Sequence, residues 1–162
     1  MLKPDSRRAW AGCLVGTTSA LLLVACVPLD QVYLKVDGED VLFKVCAPIE
    51  ATAITVQRIP VGSFDATLWE DSWLAEGAVK LEPSTILTYG AAPNGMETTL
   101  GPNSLVNGSW DVKLVVDGFA EDGREINIWG EWQTSRFEDG VWYAHDGRGP
   151  EADPCGDQEG GN

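Results

Sequence analysis

Between residues 31 and 144 the chain alternates apolar and polar positions with a period of two, the pattern of strands with one buried face. "QVYLKV" sets Val32, Leu34 and Val36 against Tyr33 and Lys35, and "VLFKVCA" sets Val41, Phe43 and Val45 against Leu42, Lys44 and Cys46. The "DGED" between them has the Asp-Gly chemistry of a tight hairpin turn. "TAITVQRI" places Ile54 and Val56 inward, with Thr55 and Gln57 outward. The cleanest alternation is "SWDVKLVVDG", with Trp110, Val112, Leu114 and Val116 opposing Asp111, Lys113, Val115 and Asp117. "REINIWGEWQTSRF" pairs with it across "GFAEDG", and "GVWYAH" closes the set after "FEDG". Three stretches are less regular. "ATLWEDSWLAEG" reads as strand or helical turn, Pro83 separates "AVKLE" from "STILTYG", and residues 90–102 read as a loop rich in Gly, Pro and Asn. Apolar positions almost never recur at helical spacing. The pattern therefore predicts an all-β domain over 31–145: a single antiparallel β-sandwich of eight or nine short strands, immunoglobulin-like in architecture only. It lacks the Cys…Trp…Cys pattern of true immunoglobulin domains, because Cys155 follows the last strand.

The first thirty residues break this pattern. "MLKPDSRR" carries Lys3, Arg7 and Arg8 against Asp5, and the apolar stretch after it is interrupted by Gly16, Thr17, Thr18 and Ser19. Its longest unbroken part, 20–27, is far short of the roughly 20 residues a spanning helix needs. A basic head and a short apolar body make a secretory leader. Its end, "LVAC" at Leu23 to Cys26, resembles the lipobox of bacterial lipoproteins. That resemblance implies cleavage after residue 25, with Cys26 becoming a diacylglyceryl cysteine at the mature N-terminus. One acyl chain binds a bilayer only reversibly, whereas two hold it stably. The expected location is the extracytoplasmic face of a cell membrane, with residues 26–30 as lipidated terminus and linker. Four residues between anchor and first strand reach about 14 Å at most, so the domain sits close to the bilayer. The composition resembles that of secreted high-GC Gram-positive proteins. In a Gram-negative host, Val27 would resemble an outer-membrane sorting signal.

Removing residues 1–25 from 162 leaves 137, one domain's worth. The leader takes three of 11 basic residues and one of 25 acidic ones, so the mature balance is 8 against 24, or −16. That charge argues against nucleic acid, whose phosphates demand Lys and Arg, and favours a soluble monomer. Two cysteines, Cys46 and Cys155, remain for an oxidising compartment and allow one pairing. Cys46 falls on the strand face opposite the core. The disulfide would pin the acidic segment 146–162, which has too little apolar surface to fold alone.

Candidate chemistry is sparse. His145 is the one histidine, no G-x-S-x-G elbow accompanies it, and one histidine supplies no zinc site. Acidic clusters at 37–40, 121–122, 138–139 and 153–157 neighbour glycines and read as turns, so no cofactor is expected, with weak calcium binding left open. A carboxylate pair for glycoside hydrolysis has no motif to select it. The aromatic content is distinctive. In "REINIWGEWQ", Trp129 shares a face with Glu125, Asn127, Glu131 and Gln133, while Ile126, Ile128, Gly130 and Trp132 share the other. Trp142 and Tyr143 point opposite ways, so one of them can join Trp129. The reading is a binding module rather than an enzyme, with Trp129, Trp142 and Tyr143 as candidate contact residues and an envelope protein or polysaccharide as partner. A carbohydrate platform would show two or more coplanar rings across a groove. A hydrolase would show two acids in one cleft, one of them with a raised pKa.

Overall fold

The structure is a computed structural model that describes residues 31–63, 65–105, 110–145, 149–152, 154 and 155. The leader, the lipobox and Cys26 lie outside these. Among the described residues nine strands form two antiparallel sheets: β1 Val32–Asp37, β2 Asp40–Val45, β3 Ile49–Pro60, β4 Glu70–Leu81, β5 Thr85–Thr88, β6 Met96–Leu100, β7 Trp110–Phe119, β8 Glu125–Gln133 and β9 Trp142–Ala144. One sheet has the order β5-β2-β1-β9, the other β6-β4-β3-β7-β8. They form a sandwich-like all-β fold around a single core. Val32, Leu34, Phe43 and Val45 enter it from the four-stranded sheet, and Ile54, Val56, Trp73, Leu114, Val116 and Trp132 from the five-stranded one. Each such side chain stabilises the fold by about 1.5–3 kcal/mol relative to exposure.

The alternation explains which face each strand buries, and its failures have local causes. The β1–β2 turn closes at Gly38, whose φ of 64° suits a glycine. The ambiguous segment 66–77 is a 3₁₀ turn, Ala66–Leu68, capped by Asp65, followed by the start of β4. β4 runs on through "AVKL", so this is not a strand of its own. The expected loop at 90–102 contains β6, which is a correction. β6 buries only Met96 and leaves 97–100 exposed, because it is an edge strand that joins the sheet through backbone pairing with β4. With a single buried residue, β6 carries no alternation to read.

Cys46 and Cys155 are joined as a disulfide. Cys46 lies on the outer face of the four-stranded sheet, among Tyr33 and Ala144, with Trp142 and Cys155 packed against them. Glu151 N–H donates to Trp142 O at 3.0 Å, and Pro154 is buried, so this part of the tail follows β9. The remaining tail residues lie outside the described set.

Candidate functional site

β8 is an edge strand of the five-stranded sheet, and its period of two puts Trp129 and Glu131 on the outer face. Gly130 makes this possible from behind: the Trp132 indole lies back over the glycine on the inner face, so tightly that an added Cβ would stand 2.4 Å from it. Trp132 Nε1 donates to Tyr143 O at 3.1 Å, tying β8 to β9 across the sandwich edge. Trp129 stays 39% exposed. His145 meets it edge-on, with ring centroids 4.6 Å apart and planes at 76°. Glu131 N–H donates to His145 Nδ1 at 2.9 Å, which leaves the proton of the neutral imidazole on Nε2. Lys113 Nζ sits 5.7 Å from the Trp129 ring centroid.

The strand registers extend this corner into a continuous feature. Leu100 pairs with Leu74, Leu74 with Thr55, Thr55 with Val115, and Val115 with Trp129. One row of largely apolar side chains therefore crosses all five strands on the outer face. Leu100 is as exposed as Trp129. The flanking rows are acidic. Glu97, Glu76, Asp117 and Asn127 lie on one side of the row, and Asp71, Gln57, Lys113 and Glu131 on the other. Asn127 Nδ2 donates to Asp117 Oδ1 at 2.6 Å, and Gln57 Nε2 to Asp71 Oδ1 at 2.9 Å, so both rows are held in place.

Two of the three candidate contact residues, Trp129 and Tyr143, line one cavity, and Trp142 lies apart from it. Trp129 is on this face. Trp142 lies opposite Lys35, on the outer face of the four-stranded sheet, with Lys35 and Lys44 ammonium groups 5.3 and 5.9 Å from its ring centroid. Tyr143 lies opposite Leu34, which points inward, so it is buried; its ring stacks on Phe137 with centroids 4.1 Å apart, and its hydroxyl accepts from Glu138 N–H. Alternation separated Trp142 from Tyr143: Tyr143 lines a cavity of about 460 Å³ together with Trp129 and His145, whereas Trp142 lies on the outer face of the other sheet.

Two cavities frame the region. One, of about 530 Å³, opens at an end of the sandwich between Val36, Val41, Tyr89, Leu105, Trp110 and Val112. Several polar groups at or beside it are engaged. Arg58 lies 4.2 Å over the Trp110 ring, pairs with Glu70 and donates to Ser104 O, while the Tyr89 hydroxyl bonds Ser72 and Asn103 O. The second, of about 460 Å³, lies under the β3–β4 connection and is lined by Ile59, Asp65, Trp69, Asp111, Glu131 and Arg136, among others. Asp111 sits on the outward parity of β7, as the alternation predicts, yet is only 8% exposed. Burial, and then repulsion from Glu131, push its carboxyl above the usual range, while Arg136 pulls the other way. Asp111 Oδ1 has no hydrogen-bond partner. Asp65 is the opposite case: Thr67 O–H and N–H both donate to it and hold its carboxyl low. Sequence reasoning passed over Asp111, since its neighbours Lys113 and Asp117 share its parity and remain more exposed.

Among the described residues, no three His, Cys, Asp or Glu side chains are grouped to hold a metal ion. None of the described helices is long and apolar enough to cross a membrane. No serine, threonine or cysteine hydrogen-bonds to His145 among the described residues. No family model, no curated protein and no solved structure matches the chain.

Proposed function

We propose that the protein is a lipid-anchored extracytoplasmic binding module, held at the membrane through Cys26, that docks an envelope protein on the outer face of its five-stranded sheet. The observation that carries this reading is the row Leu100–Leu74–Thr55–Val115–Trp129. Leu100 and Trp129 are exposed at the ends of this row and Leu74, Thr55 and Val115 are half-buried between them, and accessible apolar surface of this kind marks an interaction site more often than it marks chance. The flanking acids specify the partner's chemistry: an apolar strip bordered by Lys and Arg, whose approach the net charge of the domain accelerates. Like charge on those rows disfavours a second copy of this chain as the occupant.

Carbohydrate stacking has less support. Among the described residues the one ring packed against Trp129 is His145, and it stands edge-on rather than coplanar. A carboxylate hydrolase has one observation in its favour, Asp111 and Glu131 lining the same cavity with the Asp111 pKa raised. Loss of glycoside turnover in both Asp111→Asn and Glu131→Gln would identify it. The docking reading is tested by native gel electrophoresis of detergent-solubilised membranes from the producing cell. Wild type and an Ile86→Asp control on the opposite sheet are expected in one discrete complex, and Leu74→Asp is expected to run as the monomer. Equal mobility of all three at the monomer position would overturn it.

A further inference from the structure

We propose that the partner protein adds an extended segment, alternating basic and apolar on its outer side, to the free edge of β8 as a sixth strand. The inference rests on the docking reading and deepens it, because it names the form in which the partner binds.

The phase of the β7–β8 ladder shows which main-chain groups are open. β7 is the one strand that pairs with β8. Glu131 N–H donates instead to His145 Nδ1 at 2.9 Å, just past β9, so it points away from β7. At the hairpin end Ala120 N–H donates to Arg124 O at 2.8 Å, which puts the even-numbered positions toward β7. Antiparallel pairing alternates the two directions residue by residue. Glu125, Asn127, Trp129 and Glu131 therefore turn N–H and C=O to the free edge. His145 takes the Glu131 N–H, and among the described residues nothing hydrogen-bonds the main chain of Asn127 or Trp129 there.

Native sheets protect an edge with Pro, Lys, a bulge or a covering segment. β8, "EINIWGEWQ", has neither Pro nor Lys and meets β7 in nine successive pairs without a register shift. The other edges are managed. Glu151 bridges to Trp142 beside β9, Ala91 bridges to Thr88 of β5, and β6 meets β4 across a register shift. An open, regular edge suits strand addition, where main-chain hydrogen bonds supply affinity and alternate side chains supply specificity.

The chemistry of the segment follows from the row it extends. Trp129 ends the apolar row on the outer face, so the added residue beside it is apolar. Glu131 lies on one side of that position, and the Asn127–Asp117 pair and Glu125 on the other, which calls for Lys or Arg on both flanks. Toward β9, the cavity of about 460 Å³ lined by Trp129, Phe137, Tyr143 and His145 offers a place for one bulky apolar side chain. The same acids disfavour β8 pairing with β8 of a second copy.

The test uses the full-length chain, tagged at its C-terminus, and its complex purified from detergent-solubilised membranes of the producing cell. Hydrogen exchange resolved to single amides compares complex with free chain. The Asn127 and Trp129 amides are expected to exchange about tenfold or more slowly in the complex. Asn127→Pro removes an edge donor outside the β7 ladder, where proline is tolerated, and is expected to abolish the complex while keeping a cooperative urea transition. Asn127→Ala is expected to retain the complex. The exchange measurement needs no variant and decides the matter if Asn127→Pro fails to fold. A complex that leaves both amides unprotected overturns the added strand while the docking reading stands. No complex from wild type overturns both, and co-purification of untagged copies of this chain alone overturns the partner's strand in favour of a β8–β8 pair.

Discussion

Replacing Gly130 with alanine tests how β8 is built. A Cβ at that position would stand 2.4 Å from Trp132 Cη2, 2.6 Å from Trp132 Cζ2 and 2.8 Å from Val32 Cγ1. Carbon atoms in contact settle at about 3.5–4.0 Å, so the indole must retreat by about an ångström. It has little room to do so. Trp132 is 1% exposed, packs its ring 5.8 Å from that of Phe43, and is held through Nε1 to Tyr143 O. Overpacking of this kind costs about 1–3 kcal/mol. Alanine recovers about 0.5–1 kcal/mol of backbone entropy relative to glycine, leaving a net loss of about 1–2 kcal/mol. Urea unfolding followed by tryptophan fluorescence reads this as a lower midpoint at unchanged slope. A cycle with Trp132→Phe isolates the cause: the smaller ring vacates the space, so Gly130→Ala becomes neutral or stabilising in that background. If Gly130→Ala is neutral in wild type, or equally costly in both backgrounds, the packing argument fails.

Further outcomes follow from the same structure. Cys46→Ala with Cys155→Ala opens a loop between cysteines 109 residues apart, and chain entropy puts the loss at about 4–5 kcal/mol; matching urea midpoints for the double variant and non-reduced wild type would contradict this. Asp111 has a folded pKa above its unfolded value, so the folded state holds its proton longer and stability falls as pH rises from the ordinary aspartate value through the raised one. Asp111→Asn removes that penalty, and its melting temperature should exceed that of wild type at neutral pH, with the gap closing below the ordinary aspartate pKa. A gap that widens in acid would reverse the sign of the argument. Leu74→Ser and Leu100→Ser, on the exposed row, should change unfolding free energy by less than about 0.5 kcal/mol; a larger loss would mean that the row supports the fold.

Much of this architecture was legible because one-sided burial writes itself into alternate residues. β7 shows Val112, Leu114 and Val116 inward as read, and β8 shows Ile128, Gly130 and Trp132 inward as read. Trp110, on the same parity as Val112, is only half-buried, because it stands at the open end of the sandwich beneath Arg58. β6 was invisible because it buries Met96 alone and joins the sheet through its backbone pairing with β4. The site was legible only in part. Parity placed Trp129 among polar neighbours, but which strands would align Leu74 and Leu100 beside it depended on pairings between segments distant in sequence. Asp111 was hidden for the same reason: Val61, Asp65 and Trp69, which line a cavity with it, carry no mark of where they fold. Trp142 and Tyr143 have the expected opposition, and it is Tyr143 that reaches the cavity lined by Trp129.

The central claim is that the outer face of the five-stranded sheet meets a protein in the envelope. The most direct measurement places a photo-activated crosslinking residue at position 74 of the full-length chain in living producing cells, with position 86 on the opposite sheet as the comparison. The account predicts one discrete protein adduct from position 74, diminished by raised salt and by Trp129→Ala, and none from position 86. Adducts absent at 74, or equal at the two positions, would contradict it.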